Sequence, residues 1–245
     1  MGIAQGLSGQ DVELIDITTP DGRKQKLQTS ENDLLIVGVP VYMGRVPALI
    51  TDWLGAVEAR NTPVVCVVVY GNRAFENALL ELKDILSKRG CVPVAGAAYI
   101  GEHSFSSAEI PTAGGRPDAT DLTHAELFGR KVNEKLRAVS SIENASNANF
   151  PGEIPYGGIM ELWDVDFIAV GEACTHCGLC AEKCPAGAVA PEDGRSIDTV
   201  KCITCCACIK SCPHGARTMK AGPVMDAALR VNRLNSERKE PQTFF

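Results

Sequence analysis

The chain reads as an α/β protein, with a doubly wound parallel sheet over residues 1–139 and a small cysteine-rich α+β domain over 166–220. Three observations carry this reading. Continuous apolar runs at Leu34–Val39, Val64–Tyr70 and Val92–Ile100 recur at about the 30-residue period of a βαβ unit. Amphipathic helical patterns fill the intervals between them. Nine of the eleven cysteines crowd into the stretch from Cys174 to Cys212, which sets that stretch apart, and 245 residues suit two domains of unequal size.

The opening IAQGL reads as the end of a first helix, and the β-branched, weakly alternating Val12–Ile17 as a strand. The apolar runs read as strands buried on both faces, as in a sheet with helices above and below. Pro47 suits the first position of a helix bearing Leu49, Ile50, Trp53, Leu54 and Val57, which Asn61-Thr62-Pro63 stops. Asn72 reads as the N-cap of a helix with Phe75, Leu79, Leu82 and Leu86 on one face and Gly90 as its stop. A third helix runs from about Thr123, with Glu126 completing a capping box, through Leu127, Phe128, Val132, Leu136 and Val139.

In open α/β sheets ligands sit at the carboxyl ends of strands, here the loops Pro40–Pro47, Tyr70–Phe75 and Ile100–Ser106. The first two, with Pro40, Tyr42, Gly44, Tyr70, Gly71 and Asn72, resemble the loops that flank the flavin in the flavodoxin-like family. The resemblance implies FMN, with Tyr42 and Tyr70 beside the ring; the alternative is that these tyrosines cap the sheet. The family's opening strand and Ser/Thr/Gly-rich phosphate loop are missing. Ser8-Gly9-Gln10 reads as a helix-to-strand connection. The sheet is therefore expected to lack its first strand, as in a truncated chain, and to hold FMN weakly or not at all.

CTHCGLCAEKCPAGA from Cys174 and CITCCACIKSCPHGA from Cys202 align at a shift of 28 residues, with four cysteines, Pro185/Pro213 and Gly187/Gly215 in register. Each run is C-x2-C-x2-C-x3-C-P, the spacing of thiolates around cubane iron–sulfur clusters. A zinc site would pair C-x2-C motifs across a longer linker. Phe167–Lys220 resembles the bacterial two-cluster ferredoxin domain. The resemblance implies one 4Fe-4S cluster on Cys174, Cys177, Cys180 and Cys212, and another on Cys202, Cys205, Cys208 and Cys184. Each oxidised cluster with its thiolates carries a formal charge of about −2. Cys206 falls between two ligands and is assigned to packing, as are Cys66 and Cys91. His176 and His214 read as solvent-facing loop residues.

Ser140–Asn149 and FPGEIPYGG make 140–165 a linker. Residues 221–245 hold a short helix, through Met225, Ala228, Leu229, Val231 and Leu234, docked on the sheet, and a tail. A net charge of −6 argues against nucleic acid. No apolar stretch approaches the ~20 residues of a membrane span, and the opening MGIAQGLSGQ does not read as a secretory signal, so the protein is expected in the cytoplasm. The whole resembles ferredoxins with an N-terminal flavodoxin-like domain. That implies an electron carrier serving a redox partner protein, or alternatively a flavin-dependent reductase whose clusters feed FMN. A third alternative is an interaction module with structural clusters. Oligomeric state is not legible.

Overall fold

The computed structural model describes residues 2–7, 11–145, 148–158 and 164–245. In chain order its first elements are α1 (Gly2–Gly6), β1 (Gln28–Thr29), β2 (Leu35–Pro40), α2 (Ala48–Gly55), β3 (Glu58–Ala59) and β4 (Thr62–Tyr70). Next come α3 (Ala78–Ser87), β5 (Cys91–Ile100), α4 (Ala119–Ala138) and β6 (Ile168–Val170). Last are α5 (Leu179–Glu182), α6 (Ala207–Lys210), β7 (Arg217–Met219), α7 (Pro223–Leu234) and β8 (Gln242–Phe244).

The main sheet has the order β2-β4-β5-β8, with the first three strands parallel and β8 antiparallel to β5. The continuous apolar runs are explained by burial on both faces. Along β4, Val64, Cys66, Val68 and Tyr70 enter one core with α2 and α3, while Val65 and Val67 enter a second core with α1 and α4. Leu79, Leu82 and Leu86 of α3 are fully buried at the spacing of one helix face, and truncating any of them to Ala costs ~2–5 kcal/mol. β5 carries a bulge at Val94, because Val64 pairs with Pro93 and Val65 with Ala95. Pro93 lies beside it, where a missing N–H is tolerated. Gly96 leaves room for Phe150: a Cβ there would lie 2.2 Å from the ring.

Several local expectations are corrected. Residues 11–17 form no strand, and Val12 and Leu14 are 53% and 74% exposed, because no described strand lies alongside to accept their hydrogen bonds or bury their side chains. The helix opened at Pro47 ends at Gly55, and Thr62-Pro63 starts β4 instead of stopping a helix. α3 begins at Ala78, six residues after Asn72. α4 starts four residues before Thr123: Asp118 caps it by accepting from Thr120 N and Asp121 N, and Asp121 answers by accepting from Asp118 N. Asp121 is also locked in a buried bidentate pair with Arg116. Ser8-Gly9-Gln10 lies outside the described residues.

The segment read as a linker lies along the α/β unit. Ala145 and Phe150 are buried in its two cores, Glu153 N donates to Asn77 Oδ1 (2.7 Å), and Tyr156 OH donates to Asp84 Oδ2 (2.5 Å). In the cysteine-rich unit β6 and β7 pair antiparallel over a small core of Phe167, Ile168, Val189 and Val224 with several of the cysteines. α7 therefore docks here through Val224, and not on the sheet. The chain then returns to the first unit, where β8 covers the β5 edge and Phe244 and Phe245 pack on Phe75 and Phe128.

Candidate functional site

The 28-residue repeat is legible in the backbone. His176 and Thr204 have φ of 57° and 52°, Gly178 and Cys206 of 76° and 56°, and Gly187 and Gly215 both of 60°. Each run thus turns through left-handed residues, then makes a single helical turn, α5 or α6, that buries Cys180 or Cys208. The fourth cysteine of each run is held alike: Ala188 N donates to Cys184 Sγ (3.2 Å) and Ala216 N to Cys212 Sγ (3.3 Å). Cys206 stands where the first run has a glycine. It is buried, with its thiol directed to Thr204 O at 3.9 Å.

Two cavities result. The first is lined by Cys174, Cys177, Cys180 and Cys212. The second is lined by Cys202, Cys205, Cys208 and Cys184, with Cys206 also on its wall. In each, three thiols come from one run and the fourth crosses from the other. All eleven cysteines are free thiols. Among the described residues no three His, Cys, Asp or Glu side chains converge on one point as single-ion ligands; the thiols surround a space.

Burial governs the second cavity electrostatically. It pushes the Cys205 thiol up to about 11 and Cys206 to about 12, and it also raises Cys202 and Cys208. These thiols stay protonated at neutral pH unless a cationic occupant displaces the protons, as metal ligation does. Cys212 differs: burial pushes it up, but the backbone N–H groups of His214, Ala216 and Arg217, together with the Arg217 charge, hold it below the ordinary thiol value. His176 and His214 are exposed, and His176 Nδ1 lies 2.7 Å from Asp193 O. Cys66 and Cys91 are buried in the α/β unit, with Cys91 raised to about 11 by burial.

The strand-end loops meet the second cavity. After β2, Tyr42 and Arg45 exchange backbone hydrogen bonds of 3.0 and 2.9 Å around Met43 and Gly44, both left-handed. Pro40 ends the strand exposed. The turn presents Tyr42, whose hydroxyl is raised first by burial and then by Cys205, Cys206 and Cys202, which places it within electrostatic reach of the second cysteine run. Gly44 has no room for a side chain, since a Cβ would lie 1.8 Å from Glu76 Oε2.

The second loop departs from expectation. Tyr70 is 4% exposed and packs on Phe75 at 5.5 Å between ring centroids, so its ring belongs to the core. A Cβ on Gly71 would lie 2.3 Å from the His103 ring. Asn72, 2% exposed, donates from Nδ2 to Asn235 O (2.8 Å) and Glu237 O (2.7 Å), and its Oδ1 has no partner among the described residues. Its amide anchors the C-terminal segment and does not cap a helix.

The third loop docks the cysteine-rich unit. Glu102 pairs with Lys210 of α6, and Phe105 packs on the cysteine-lined core and on His103. Burial, then Lys210 and Arg73, lowers His103 to about 4, so its ring is neutral and its Nδ1 accepts from Phe105 N (3.0 Å). Arg23 donates to Pro185 O (2.6 Å). The Lys210 and Pro185 contacts involve the helix of Cys208 and the turn after Cys184, which puts the second cavity's cysteines on the side facing the α/β unit; Cys177 of the first cavity is exposed. The contacts of Phe105, Lys210 and the C-terminal strap could not be read from the sequence, because they span about a hundred residues or more.

The NADPH-dependent FMN reductase family matches residues 5–105. The match takes in the end of α1, β2, β4, β5 and the first two strand-end loops, and it ends before the cysteine repeat. No curated protein matches the chain. The parallel sheet with helices on both faces is consistent with the flavodoxin-like domain that this match supports.

Proposed function

We propose that the chain is a flavin-linked reductase in which a 4Fe-4S cluster in each cysteine-lined cavity passes electrons toward FMN at the strand ends. The observation that carries the reading is the division of eight thiols into two sets of four, each around its own cavity, with Tyr42 within electrostatic reach of Cys202 and Cys205 of the inner set. The family similarity over residues 5–105 supports FMN as the destination. When bound, the clusters supply two electrons, one each, which with two protons from solvent complete the reduction of one FMN.

The chain's own groups do the positioning. Cys180, Cys184 and Cys208 are buried and excluded from water, while Cys177 leaves the first cavity open to an external redox protein. Phe105 and the Glu102–Lys210 pair hold the inner cavity against the strand ends; that pair is half-exposed, so it orients more than it stabilises. The strand ends suit FMN as an exchangeable substrate. Asn72 Oδ1 offers a free acceptor, but the tail holds Asn72 Nδ2 and His103 closes the space in front of Gly71. That occupancy favours, as a second reading, a carrier that delivers electrons to another protein.

Anaerobic mixing of the dithionite-reduced, desalted protein with FMN separates the two. The reductase reading expects flavin bleaching at two electrons per chain, with FMN lost on gel filtration. A protein that reduces a cytochrome but leaves FMN oxidised is a carrier.

A further inference from the structure

Arg217 is a cation buried beside the first cavity. It opens β7 opposite Val170, is 3% exposed, and lines the first cavity with Cys174, Cys177, Cys180 and Cys212. Its Nη2 donates to Gly194 O, a carbonyl that also lies 3.6 Å from Cys180 Sγ. That carbonyl is the only oxygen acceptor of the guanidinium among the described residues, and the buried Nη1 has no hydrogen-bond partner among them.

The repeat sharpens the point. At the 28-residue shift Arg217 stands where the first run has Val189, a buried apolar residue on the wall of the second cavity. An always-charged guanidinium in a site that accepts valine is unfavourable unless an anion lies within reach. The free Nη1 beside the thiols of the first cavity shows where that anion belongs.

We propose that Arg217 is the counter-charge of an anionic cluster in the first cavity and raises its reduction potential; this rests on the cluster reading above. Each one-electron reduction adds a negative charge, and a fixed cation nearby stabilises the more negative form more. Charge and hydrogen bonding near the sulfurs set such potentials.

The test is an anaerobic redox titration, followed by electron paramagnetic resonance, of the wild-type holoprotein and of Arg217→Lys, Arg217→Gln and Arg217→Met, each with iron and sulfide analysis. The Gln and Met variants are expected to keep their iron and to show a reduction equilibrium at least about tenfold less favourable at one of the two clusters, 59 mV lower for a one-electron couple. Arg217→Lys is expected to stay near wild type. Full iron with wild-type potentials in Arg217→Met, or a Lys variant shifted as far as Met, overturns the inference. If Gln and Met lose iron, its retention in Lys supports the charge role, and equal loss in Lys overturns it. Wild-type protein devoid of iron and sulfide removes the cluster reading itself, and this inference with it.

Discussion

Cys205 and Cys206 are adjacent, yet the repeat gives them different work. Cys205 is in register with Cys177, whereas Cys206 matches Gly178 and takes its left-handed conformation. Cys205→Ala is expected to lose about four iron per chain and Cys206→Ala to lose none, since a cubane takes four thiolates; equal loss contradicts the assignment. His103 makes a pH prediction. Its folded-state value, about 4, lies below the ordinary 6.5, so the folded protein binds fewer protons and stability falls as pH drops through that window. Urea midpoints measured between pH 7 and 4 are expected to decline more steeply in wild type than in His103→Gln, and parallel curves would refute it. At this scale the sequence was informative where chemistry repeats. It was silent on Arg217, whose meaning emerges only against Val189, and misleading on Asn72, because the amide that suits an N-cap equally suits two tail carbonyls.

Among elements, β2, β4 and β5 were legible because burial on both faces demands an unbroken apolar run. Val12–Ile17 has strand composition but no strand beside it among the described residues, and composition cannot supply a neighbour. β8 was unreadable for the opposite reason: three residues, Gln242–Phe244, become a strand because the β5 edge is there to receive them. The strap from Asn235 onward is then fastened by Asn72, by Arg116 Nη1 donating to Lys239 O (3.1 Å), and by Arg238 pairing with Asp118. Removing residues 241–245 takes away the Phe244 and Phe245 contacts and uncovers an edge strand. A loss of ~2–4 kcal/mol is expected from two partly buried aromatic side chains, with increased light scattering. An unchanged urea midpoint would show the strap to be dispensable.

For the whole molecule, the arrangement is directional. In the proposed reading, electrons enter at the first cavity, where Cys177 is exposed, and leave from the second, whose cysteines influence Tyr42 at the strand ends. Cysteine crowding marks the stretch from Cys174 to Cys212 in the sequence. The way the units meet was not readable there, because it depends on Phe105, Arg23 and Lys210 making contacts across the chain. The central claim, that each cavity holds a cubane cluster, is tested most directly by iron and acid-labile sulfide analysis of anaerobically purified protein. About eight of each per chain are expected from two clusters of four; zinc without sulfide, or iron near one or two per chain, would contradict it.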